Sequence, residues 1–361
     1  MAKRKQRRDE FQDISSYSSK QAYKKNQKKK KRTGLKVFLS FICVILVLVG
    51  GVMIYASTVL LGDLKTTTIT KDKTELGISE ETKSEAGITN IALFGVDARD
   101  YDGGTFAGRS DAIMVMSIDN VHHKVKLTSI MRDVRVYMGD GSPYDSGYDK
   151  LNHAYMYGGP EQAIRTINQN FGLDIQDYVT VNFASMAKIV DAFGGVNIDL
   201  TEDEISEINK NMYALAAEST ESMAGDVSTY APLSAGEGVL LNGDEAVAYG
   251  RIRAIDNDNG RVERQQEVLS ALLSKASSIS KLEYPSIIQQ LAPLCETSLT
   301  FDKMIGLAQI ALTGFDIERL SIPSDVEGYA SDYCEGGGWM WTYDTDVAAQ
   351  HIHEFIYEDE N

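Results

Sequence analysis

Apolar residues in this chain fall into short runs that stop abruptly at charge. Residues 91–96 are continuously apolar apart from Gly95 and stop at Asp97 and Arg99. Residues 112–116 begin just after Arg109, Ser110 and Asp111, and residues 125–131 run into Arg132 and Asp133. Runs this short, rich in Val and Ile and bounded by turn residues, predict buried strands rather than helices. Further along, residues 178–183 and 196–200 read as strands, 237–242 as a Gly-flanked apolar run, and 317–322 as a further strand. Helical spacing predicts helices over 160–171 (Pro160 first, Gly172 as stop), 184–193 (ended by Gly194 and Gly195), 243–248 and 262–276. Weaker patterns predict helices at 284–294, 301–312 and 344–357. The Gly-, Asp- and Tyr-rich stretch 139–157 reads as a long loop, and 201–232 as an acidic helical insertion. Strands and helices intermix, so the class is α/β or α+β with helices on a mixed sheet.

If the first three strands form an antiparallel meander, Asp97, Arg99, Arg109, Asp111, Arg132 and Asp133 meet at one rim of the sheet. Any one of them alone reads as a surface ion pair at a strand end. Together they suit a divalent cation and a phosphate-rich ligand: carboxylates are hard oxygen ligands, and guanidinium forks match phosphate oxygens.

A second charged group lies in 249–266, YGRIRAIDNDNGRVERQQ. If 249–253 is extended, Arg251 and Arg253 point to one face. Gly260 then opens a helix with Arg261, Arg264 and Gln265 on one side. Arginines in a first helical turn oppose the usual preference for acids there, and a bound anion explains them. Asp256 and Asp258 read either as caps or as a third carboxylate, a metal ligand or general base. Ser185 and Lys188 fit S-x-x-K, but the rest of that hydrolase pattern is missing, and a P-loop and H-E-x-x-H are absent too.

Charge divides the chain sharply. Residues 1–36 hold 14 Lys and Arg against 3 Asp and Glu, leaving 22 against 49 for residues 37–361, so +11 precedes −27. Between them, residues 37–61 carry no charge over 25 positions, long enough to cross a bilayer. No A-x-A site follows, so an uncleaved anchor is expected, and Lys28 to Arg32 place the N-terminus in the cytoplasm. The expected organisation is a basic cytoplasmic tail (1–36), a transmembrane helix (37–61), an extracellular stalk (62–87) and an extracellular domain (88–361, core 88–280). The acidic exterior argues against nucleic acid as a partner. Cys295 and Cys334 lie outside, where a disulfide can persist.

The motifs NIALFGVDAR (90–99), GRSDAIMVMSID (108–119), SIMRD (129–133), KLNHAYMYGG (150–159), VNFASMAKIVDAFGGVNID (181–199), LNGDEAVAYGRIR (241–253) and DNGRVERQQEVL (258–269) resemble the LytR-CpsA-Psr family of bacterial cell-envelope proteins. The resemblance implies an α/β/α domain with a mixed central sheet and a hydrophobic pocket for a polyprenyl chain. It implies a phosphotransferase that moves a teichoic acid or capsular polysaccharide from undecaprenyl pyrophosphate to peptidoglycan through a phosphodiester. Mg2+ or Mn2+ near the pyrophosphate is implied, as is a cytoplasmic-membrane location. By the same resemblance Asp97 and Asp111 are metal-associated acids. Arg99, Arg109, Arg132, Arg251, Arg253 and Arg261 clamp pyrophosphate, with Arg264 and Gln265 completing their motif. Asp258 is the candidate base, and Lys150 and Asn152 form a further polar motif. Met131 stands where the family usually has Pro. A polyprenyl-pyrophosphate hydrolase and a non-catalytic tethered binder of the lipid or polysaccharide stay open as alternatives.

Overall fold

The computed structural model describes residues 65–96, 106, 108–218, 232–256, 258–278, 290–300, 303, 304, 307, 315–334 and 338–358. They all belong to the second of two compact units, Leu60–Asn361. The expected membrane span at 37–61 lies outside them, as do Asp97, Arg99 and most of 284–294 and 301–312. Among the described residues no helix is long and apolar enough to cross a membrane.

The expected meander is present. Strands β2 (Ile88–Val96), β3 (Ser110–Asp119) and β4 (Lys124–Ile130) pair antiparallel in sequence order. His122 and His123 occupy the exposed turn between β3 and β4. The sheet extends through β7 (Asp177–Asn182), parallel to β2, and β11 (Asp316–Ile322), parallel to β4. Two short strands, β1 (Lys65–Thr66) and β10 (Glu296–Thr297), complete the order β1-β10-β7-β2-β3-β4-β11. Period-two alternation sends Ala92, Phe94 and Val96 to one face and Ile91 and Leu93 to the other.

The first face is covered by α1 (Leu151–Phe171) and the C-terminal helix α6 (Thr345–Tyr357), through Ile164, Ile167, Ile352 and Ile356. The second is covered by α5 (Asp258–Ser278), through Leu269 and Leu273. Beyond it α2 (Phe183–Ala192), α3 (Glu202–Glu218) and α4 (Gly243–Gly250) share a second core with the hairpin of β8 (Val196–Leu200) and β9 (Gly236–Leu241). The result is three layers, helices on both faces of a mixed sheet.

Five expectations need correction. Residues 139–157 are not one loop: β5 (Arg135–Tyr137) and β6 (Tyr148–Lys150) pair, and α1 starts at Leu151. The Gly158–Gly159–Pro160 sequence kinks α1 instead of starting it, with Gly159 at φ 65°. Residues 249–253 are not extended, because Tyr249 and Gly250 finish α4 and Arg251 caps it in helical geometry. The described part of 62–87 is no stalk: Ile69, Leu76 and Ile78 are buried in the core, and β1 joins the sheet. The core does not end at 280, since β11 and α6 belong to the sheet and its cover.

Candidate active site

The ends of β2, β3 and β4 form the expected rim. A bulge shapes it: Gly95 pairs with Ala112 but Val96 pairs with Ser110, so Asp111 is the extra residue on β3. Such a residue leaves the ladder and its side chain is re-aimed. Gly95 suits this close approach, because a Cβ would meet that of Ala112 at 3.0 Å. Asp111 turns to Arg132, whose Nη1 donates to its Oδ1 at 2.6 Å. Arg132 Nε donates to Asp133 Oδ2 at 3.0 Å, and Lys150 Nζ lies 3.2 Å from Asp133 Oδ1. Four side chains thus alternate in charge across the rim.

The backbone fixes this chain of ions. Met131 donates its N–H to the Ile322 carbonyl at 2.8 Å, a bond a Pro at this position could not make. The first N–H groups of α1 go to the same segment, Leu151 to the Val134 carbonyl and Asn152 to that of Arg132. Burial alone pushes the Asp133 carboxyl up, but Arg132 and Lys150 outweigh it and hold the pKa below the usual carboxylate value. Burial likewise opposes the Arg132 charge, and Asp111 and Asp133 more than restore it.

Beside the rim lies an apolar cavity of about 230 Å³ between the sheet and helices α2, α4 and α5. Leu93, Met114, Val179, Phe183, Met186, Ile189, Val247, Val268 and Leu272 are among its walls. Gly95, Ala112, Gly250 and Gln265 also line it, so its polar end carries the chain neighbours Asp111 and Arg251. The Arg251 guanidinium lies 5.3 Å from the centre of the Phe183 ring, and Gln265 Nε2 donates to the Gly250 carbonyl at 3.3 Å. The arrangement suits an amphiphile: a hydrocarbon chain in the cavity and an anionic head among the arginines.

The structure brings Asp111, Arg132, Asp133 and Lys150 into contact and sets Arg251 and Gln265 at the end of the same cavity. Asn152 is buried beside them, its Oδ1 without a hydrogen-bond partner among the described residues. Arg261 is buried in the first turns of α5, whereas Arg109 and Arg253 are exposed. Arg264 departs from the expected single anion-binding face. Its Nη1 and Nη2 donate to Asp256 at 3.0 and 2.7 Å and its Nε to Glu204 at 3.1 Å, in a separate polar cavity. Its charge is answered within the protein by Asp256 and Glu204. Asp97 and Arg99 lie outside the described residues, and the Asp258 side chain is likewise undescribed.

The sequence reading missed Asp149. It is fully buried and accepts from Tyr157 Oη at 2.7 Å and pairs with His153 Nδ1 at 2.9 Å. The four-residue spacing of Asp149 and His153 at a helix start was the available signal. Among the described residues no group of three or more His, Cys, Asp or Glu could hold a metal ion. Asp111 supplies one carboxylate, already engaged through one oxygen by Arg132. Cys295 and Cys334 are both free thiols.

An α/β/α protein with an apolar cavity beside a rim of alternating charge is the class that this fold and rim define. The chain belongs to the LytR_cpsA_psr family, whose model matches residues 52–355. It is 26% identical over 313 residues to the polyisoprenyl-teichoic acid–peptidoglycan teichoic acid transferase TagT of Bacillus subtilis, covering 83% of this chain and 91% of that one. It is 31% identical over 245 residues to the corresponding transferase TagU of Enterococcus faecalis, covering 66% and 72%. Its fold matches that of the LytR-CPS2A-psr family protein YwtF (TagT) with bound octaprenyl pyrophosphate lipid. There the TM-score is 0.56 at 21% identity, over 80% of this chain and 99% of that one.

Proposed function

We propose that this protein transfers an anionic cell-wall glycopolymer from a polyprenyl-pyrophosphate carrier to peptidoglycan. The observation that carries this reading is the apolar cavity ending beside the Asp111–Arg132 pair and Arg251. A polyprenyl chain fills the cavity and its pyrophosphate meets the guanidinium groups. Named relatives are teichoic acid transferases with peptidoglycan in their names, which supplies the polymer class and acceptor.

In the reaction an acceptor sugar hydroxyl attacks the polymer-side phosphorus. The new P–O bond forms as the bond to the carrier phosphate breaks, and undecaprenyl phosphate leaves with the electron pair. Arg132 and Arg251 stabilise the charge that grows on the phosphate oxygens, with Arg109, Arg253 and Arg261 supporting them. Asp258 takes the hydroxyl proton. Asp97 and Asp111 would hold Mg2+ or Mn2+, which supplies further neutralisation of the pyrophosphate. The N-terminus is cytoplasmic, one helix at 37–61 anchors the chain, and the transferase domain is extracellular.

The test is reconstitution of the full chain in detergent with an undecaprenyl-pyrophosphate glycan, peptidoglycan fragments and Mg2+. Mass spectrometry should find undecaprenyl phosphate and a glycan–peptidoglycan phosphodiester, both lost on adding EDTA and recovered with excess Mg2+. Undecaprenyl phosphate with only free glycan phosphate would identify a hydrolase instead. Activity that survives EDTA would remove the metal from the reading.

A further inference from the structure

The chain's two tryptophans, Trp339 and Trp341, both lie on one strand of a hairpin, β12 (Ala330–Cys334) with β13 (Gly338–Thr342). Two residues apart on a strand, they share a face. Tyr333 is directly opposite Trp339 and is 81% exposed. The intervening Met340 is 1% exposed and faces inward. The Trp339 and Trp341 rings meet edge-on at 5.1 Å, and Tyr329 meets Trp341 edge-on at 5.3 Å. Edge contacts of this kind hold neighbouring ring faces at fixed angles.

This aromatic face is continuous with the candidate active site. The Trp341 backbone N–H donates to the Asp133 carbonyl at 2.9 Å, and Val134 pairs with Trp341 in an isolated parallel bridge. Lys150 Nζ lies 5.4 Å from the Trp339 ring centre and 3.2 Å from Asp133, which binds Arg132. One side chain therefore touches both the aromatic face and the ions of the rim.

The charge around the hairpin selects among ligands. Residues 320–361 contain ten Asp and Glu and no Lys or Arg. Lys150 is the cation at this face and is engaged by Asp133, so a polyphosphate chain gains little there, whereas the apolar C–H face of an uncharged pyranose stacks on an aromatic ring without cost in charge. We infer that Trp339 and Tyr333 form a stacking subsite for sugar rings of the acceptor, the glycan strand of peptidoglycan. It would present a hydroxyl toward the Arg132 end of the rim. The inference rests on the transferase reading and adds a seat for the second substrate.

With both tryptophans in this hairpin, intrinsic tryptophan fluorescence of the full chain reports on it alone. Peptide-free peptidoglycan glycan strands should give a saturable change, and polyglycerol phosphate none. In the transfer assay Trp339→Ala should raise the acceptor KM about tenfold and leave the donor KM unchanged. Trp339→Phe should restore most of the affinity. Tyr333→Ala, at a position too exposed to matter for folding, should raise the acceptor KM by about threefold. An unchanged acceptor KM in Trp339→Ala and Tyr333→Ala, or a response to polyglycerol phosphate but not to glycan strands, would overturn the subsite. Normal transfer in those variants sinks the subsite and leaves the transferase. A glycan-strand response that Trp339→Ala weakens, with no transfer to any acceptor, does the reverse.

Discussion

At Arg132 one guanidinium answers two carboxylates, Asp111 at the bulge and buried Asp133 behind it. Removing it takes away a proposed phosphate ligand and leaves Asp133 with Lys150 alone. Arg132→Ala should lower transfer by about 100-fold or more, in line with loss of one preorganised donor to a developing oxyanion. Circular dichroism should show the fold retained; full activity in the purified variant would remove Arg132 from the chemistry. Asp133 makes a separate, pH-dependent contribution. Its folded pKa lies below the ordinary value of 3.8, so the native state holds its proton less tightly than the unfolded chain. The resulting stability is fully present above that ordinary value and fades as pH falls through the folded pKa. Thermal melts of Asp133→Asn should therefore lose less stability than wild type over the acid range. Some acid sensitivity should persist in the variant, because Asp149 and Glu204 are also held low by their partners. An unchanged acid slope would contradict this role. The rim was legible in the sequence because charge at the ends of apolar runs needs no tertiary knowledge to see. Arg264 was not, since its partners Asp256 and Glu204 lie eight and sixty positions away, at no regular helical spacing from it.

Elements that line the cavity are held apart by backbone contact as much as by side chains. Gly243 opens α4 against α2, and a Cβ there would lie 2.0 Å from the Ala187 carbonyl oxygen. Backbone cannot step aside as a side-chain tip can. Gly243 also donates its N–H to Asp191 Oδ1 at 2.8 Å, pinning that end. Gly243→Ala should cost about 1–3 kcal/mol in urea unfolding, the usual range for overpacking. Because Met186 on α2 and Val247 on α4 both line the cavity, prising the helices apart should also weaken donor binding. A variant as stable as wild type would show that the two helices separate freely. The same neighbourhood shows why some boundaries escaped the sequence. The Asn242–Glu245 capping box starts α4, but Arg-Ile-Arg after Gly250 alternates like a strand, and the helix in fact runs on to Gly250. At Gly158–Gly159–Pro160 a strong breaker signal concealed a helix already under way from Leu151. Ile69, Leu76 and Ile78 are too sparse among polar residues to declare themselves as core.

Over the whole chain, charge and hydropathy support the proposed topology. Residues 1–36 carry a net +11 and residues 37–361 a net −27, divided by 25 uncharged positions. A domain this acidic is repelled by an anionic membrane surface within about a Debye length of 10 Å, so electrostatics cannot hold it there. The proposed anchor at 37–61 would, and the cluster from Lys28 to Arg32 would keep its N-terminal side in the cytoplasm. The thiols provide the measurement. Cys43 lies within the uncharged run, and Cys295 and Cys334 lie beyond it. Burial raises the Cys295 thiol to about 11, so little thiolate forms at neutral pH and its alkylation is slow. Cys334, at the end of β12 in the aromatic hairpin, serves as the probe. In cells expressing the Cys43→Ser variant, a membrane-impermeant maleimide should label the chain before lysis, and Cys334→Ser should abolish that signal. Labelling of Cys334 that requires lysis would put the domain on the cytoplasmic side. There it could not reach peptidoglycan, and the transferase reading would fall with the topology.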